Sequence, residues 1–130
     1  MITRDITICG KPVTLAYCYA TEITYKDLSD ENIGEYINEA VDCIQKGTDP
    51  DVKRTLLAIL ACMLAFYNSK DEDTPIEVGE LMSNISPSEF ATAIITVLDM
   101  RIEFYHVPAG EPADKKDDTK KKGKGKKAKN

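Results

Sequence analysis

Apolar residues alternate at the start of the chain and then recur at helical steps for nearly all of its remaining length. Ile2, Ile6 and Ile8 share one parity, and Val13, Leu15 and Tyr17 share another on the far side of "CGKP". Period-two spacing on both sides of a glycine predicts a β-hairpin, with Gly10-Lys11-Pro12 making the turn. A lone hairpin is marginal in water, so it must lie on helices or pair with another strand.

From residue 18 onward the period lengthens. "CYATEITYKD" predicts a helix over about 18–27. "ENIGEYINEAVDCIQK" places Ile33, Tyr36, Ile37, Ala40, Val41 and Ile44 on one stripe expected to face a core, opposite Glu35, Glu39 and Asp42. Asp49, Thr74 and Ser86 each precede a proline, and Thr74 with Glu77 and Ser86 with Glu89 fit the capping box. Helices are predicted at about 50–69, 75–83 and 87–105, the last with Phe90, Ile94, Val97, Leu98, Ile102 and Tyr105 inward. "LLAILACMLAF", Leu56 to Phe66, is too short for a membrane span and suits a buried central helix that the others touch. The expected fold is α+β and mainly α: an N-terminal hairpin, then four or five helices around that central one.

Charge divides the chain. Residues 1–110 hold 8 Lys/Arg and 18 Asp/Glu, a net of −10, whereas residues 111–130 hold 9 Lys and 4 Asp/Glu, a net of +5. The second piece, "EPADKKDDTKKKGKGKKAKN", lacks the apolar surface that would offset its ordering entropy, so a disordered tail is expected beyond Pro108 and Gly110. The domain boundary is therefore placed at 110/111.

Candidate chemistry adds little. Cys9, Cys18, Cys43 and Cys62 form no CxxC pair and lack zinc-site spacing, so reduced structural thiols are expected, with no metal and no cofactor. "CGKP" is not a phosphate loop, because the required upstream glycine and following Ser/Thr are missing. A thiol enzyme would need a basic partner, and His106, the one histidine, lies at the end of the last helix, where it suits the helix dipole. The acidic run "KDEDTP" lacks the framework of a calcium loop and suits an interhelical connection. No charged N-terminal region precedes an apolar stretch, so no signal peptide is expected and the cytoplasm is the expected location. Lys120, Lys121, Lys122, Lys124, Lys126 and Lys127 are the candidate contacts for a partner or a nucleic acid, the alternative function being a small nucleic-acid-associated or regulatory protein that binds through this tail. The tail has no interleaved aromatic or arginine to stack on bases, and the acidic domain would repel a phosphate backbone.

The hairpin "ITICGKPVTLAY" running directly into the helical "CYATEITYKDLS", followed by an acidic helical domain and a charged tail, resembles the tail assembly chaperones of long-tailed bacteriophages and prophages. The resemblance covers about the first 30 residues in pattern and the rest in helical character. It implies a non-enzymatic protein of the host-cell cytoplasm that binds the tape-measure protein, keeps it soluble and assists tail-tube assembly, with the tail-tube protein as a further partner. The open hairpin edges also allow self-association.

Overall fold

The computed structural model describes residues 1–106. The expected disordered tail, the 110/111 boundary and the six candidate lysines lie outside the described residues. Two strands, β1 (Ile2–Ile8) and β2 (Lys11–Tyr17), precede five helices: α1 (Tyr19–Ser29), α2 (Ile33–Lys46), α3 (Val52–Ser69), α4 (Val78–Asn84) and α5 (Pro87–His106). The α+β, mainly helical architecture is the one expected from the sequence.

The strands pair antiparallel, Ile2 opposite Tyr17 and Ile8 opposite Lys11. The turn is Cys9–Gly10, with φ of 53° and 75°, the signature of a two-residue type I′ turn whose twist matches that of the strands. This corrects the expected Gly10-Lys11-Pro12 turn, because Lys11 and Pro12 already belong to β2. Pro12 is tolerated there for a geometric reason. The pair beside such a turn exchanges ladder bonds and the next pair, Thr7 with Pro12, does not, so the missing proline N–H costs no bond. Two residues on, the outward Thr14 N–H donates to the Tyr67 hydroxyl (3.1 Å), and the Ala16 carbonyl accepts from Thr21 Oγ1 (2.8 Å). Helices α3 and α1 thus cover the outer edge of β2.

The inner face of the hairpin, carrying Ile8, Val13, Leu15 and Tyr17, packs on α3 and α5. Helix α3 is apolar on almost every side, and such a helix is stable only when surrounded. Ten of its eighteen residues are buried, Thr55 to Met63 without a break and then Ala65, and it contacts β2 and all four other helices. At 18 residues with a mean hydropathy of 1.2, α3 has the length and composition of a minimal membrane span, yet 56% of it is buried inside this fold.

The three proline-marked helix starts behave differently. Ser86 and Glu89 form the predicted capping box: the Ser86 amide donates to Glu89 Oε1 (3.0 Å) and the Glu89 amide to Ser86 Oγ (3.2 Å). The other two are corrected. At α3 the cap is Asp51, not Asp49, since Asp51 Oδ2 accepts from the Arg54 amide (2.9 Å) while Pro50 is buried ahead of the helix. Near residue 75 the chain forms a turn: Thr74 Oγ1 donates to the Ile76 carbonyl (3.0 Å), and Ile76 is fully buried. That anchoring delays α4 to Val78, behind an N-cap at Glu77. "KDEDTP" is the connection between α3 and α4, as expected.

Glu89 does more than cap α5. Its carboxylate also accepts the Cys9 amide (3.0 Å) and the Gly10 amide (3.1 Å), tying the hairpin turn to the start of the last helix. Backbone donors from Ser86 and then Gly10 hold this carboxyl below its ordinary range. A depressed folded value makes the contribution complete above about pH 5 and lost as pH falls through the folded pKa. Urea unfolding of Glu89→Gln is therefore expected to show a stability deficit against the parent chain at pH 7, and that deficit shrinks below about pH 4.

Two further polar clusters join the elements. Arg54 makes two hydrogen bonds to Glu31 (2.7 and 3.1 Å), an ion pair with Glu39, and lies over the Tyr36 ring. Burial pulls the Glu31 carboxyl upward, but hydrogen bonds from Arg54 and Tyr25 outweigh it and hold the group below its usual value. Glu22 on α1 accepts from the Tyr17 hydroxyl (2.7 Å), the Tyr105 hydroxyl (2.5 Å) and Arg101 (3.1 Å), clamping α1 to α5.

Candidate functional site: an apolar trough between two helices

Helix α2 buries Ile33, Tyr36, Ile37 and Ala40, while Val41 and Ile44, one step round the helix, are 38% and 42% exposed. Helix α5 buries Ala93, Ile94, Val97 and Met100, while Ile95, Ile102 and Tyr105 are 55%, 57% and 48% exposed. Val41, Ile44, Ile102 and Tyr105, expected to face the core, therefore do not. The reason is packing geometry: α5 lies against the hairpin and α3 through its other side, so a second apolar stripe is left over on each helix.

On α5, Ala91, Ile95, Leu98 and Ile102 follow steps of four and three, and on α2 the exposed Val41 and Ile44 are three apart. Alternating four-three spacing is the pattern by which one helix presents a seam to another. Both seams border the same trough. One cavity of about 550 Å³ lies against Ile44, Val52, Phe90 and Ile95, and a second of about 280 Å³ lies against Val41, Leu98, Ile102 and His106. Among the described residues, seven of the twelve exposed large apolar side chains line these two cavities, which makes them a patch and not a scatter.

Residues 33–51 and α5 together carry eight carboxylates and two cations, Lys46 and Arg101. Arg101 is already engaged: it donates to Glu22 (3.1 Å) and Tyr17 (2.8 Å) and stacks on Tyr105. Lys46 pairs with Asp42 (3.0 Å). Six of the eight carboxylates are engaged as well: Glu39 with Arg54, Asp42 with Lys46, Asp51 at the start of α3, Glu89 at the hairpin turn, and Asp99 and Glu103 with Arg4. Among the described residues, Asp49 is the one carboxylate against the larger cavity, so the trough is chiefly apolar, which fits a helix in a groove.

The residues weighed for chemistry lie apart from one another. Cys9 sits in the hairpin turn with its thiol 3.6 Å from the Glu80 carbonyl; burial, then Glu80 and Glu89, push its pKa up and disfavour the thiolate. Cys18 precedes α1, where its amide donates to Thr21 Oγ1 (3.2 Å). Cys62 is fully buried in α3, and burial raises its thiol. All four cysteines are free thiols. His106 borders the smaller cavity, and no hydrogen bond joins it to a cysteine among the described residues. Lys120, Lys121, Lys122, Lys124, Lys126 and Lys127 are outside the described residues. The trough residues Ile95, Val52 and Met82 were missed by one-face reading of the sequence; the adjacent pair Ile94-Ile95 was the available sign that α5 has two apolar sides.

Comparison with protein-family models, curated proteins and solved structures gives no significant match.

Proposed function

We propose that this protein is a tail assembly chaperone of a long-tailed phage or prophage, acting in the host cytoplasm by protein binding and not by catalysis. Its client is the tape-measure protein, a very long helical chain that aggregates until the tail tube encloses it, with the tail-tube protein as a further partner. The hairpin-to-helix entry of the sequence supports the family, and one structural observation supports the mode of action. Among the described residues, two helices carry exposed apolar side chains that border one trough and meet no packing partner there.

A helix bound there buries apolar surface on both sides, at roughly 25 cal/mol per Å². That removes from water the stripe through which client chains stick together. The acidic domain, net −10 over residues 1–110, keeps the loaded complex dispersed by self-repulsion. Co-expression with the tape-measure protein of the same genome is expected to move that protein from the pellet to the soluble fraction. An unchanged soluble yield in the presence of folded chaperone overturns the reading.

A further inference from the structure

We draw no further inference here: the strongest candidate, the apolar trough between α2 and α5, belongs to the site already described, and nothing in the structure shows what covers it.

Discussion

Replacing Ile59 by alanine is expected to lower the unfolding free energy by about 2–5 kcal/mol, the cost of emptying a closed site in a core helix. Ile59 is completely buried in α3, the helix against which β2 and the four other helices pack. Its neighbours Ala58, Leu60 and Ala61 are buried as well, so few side chains have freedom to collapse into the space. For a domain of this size the loss amounts to a fall in midpoint of roughly 10–20 °C, measured by thermal or urea denaturation followed by far-ultraviolet circular dichroism. The same truncation at Ile23, which is 63% exposed on α1, is expected to change stability by less than about 0.5 kcal/mol. Similar losses at the two sites would mean that α3 is not the centre of the core.

Features that depend on local chemistry were legible in the sequence, and those set by packing direction were not. The strand alternation, the central apolar helix and the Ser86–Glu89 box are local, and each stands where the pattern placed it. The Asp49 start was missed because Asp51, two residues on, offers an equally good carboxylate, and the choice falls to burial of Pro50. The Thr74 start was missed because the long-range burial of Ile76 holds the chain in a turn that local propensity does not record. The Cys9–Gly10 turn required a non-glycine residue at positive φ. Two amides donated to Glu89, 79 and 80 positions away, secure that turn, and no local window contains them.

The trough failed to appear for a related reason. A hydrophobic stripe read along one helix says that a face avoids water, but not whether the same molecule supplies the cover. On α2 the apolar arc runs from Tyr36 round to Val41, wider than one neighbour covers, and on α5 Ile94 and Ile95 point to different sides. Width of the arc was the signal, and only the positions of α3 and the hairpin decide which part of it is left over.

Aspartate at both Ile95 and Ile102 is expected to abolish client rescue while leaving the fold in place. In the free chain each side chain is more than half exposed, so a charge there remains hydrated and costs the native state little. In the loaded trough the same carboxylates would be desolvated against an apolar stripe with no partner, a penalty of several kcal/mol per unpaired charge. Two such penalties exceed what a bound helix recovers by burial, so the loss should be complete and not partial.

The most direct measurement compares the soluble yield of the tape-measure protein when co-expressed with the parent chain, with Ile95→Asp, Ile102→Asp, and with Ile23→Asp, a control at an exposed apolar residue that lines neither cavity. With all three forms of the protein equally abundant and equally helical, the proposed function predicts that the parent and the Ile23 variant keep the tape-measure protein soluble and that the paired variant leaves it in the pellet. Rescue by the paired variant at the level of the parent would contradict the assignment of client binding to the trough between α2 and α5.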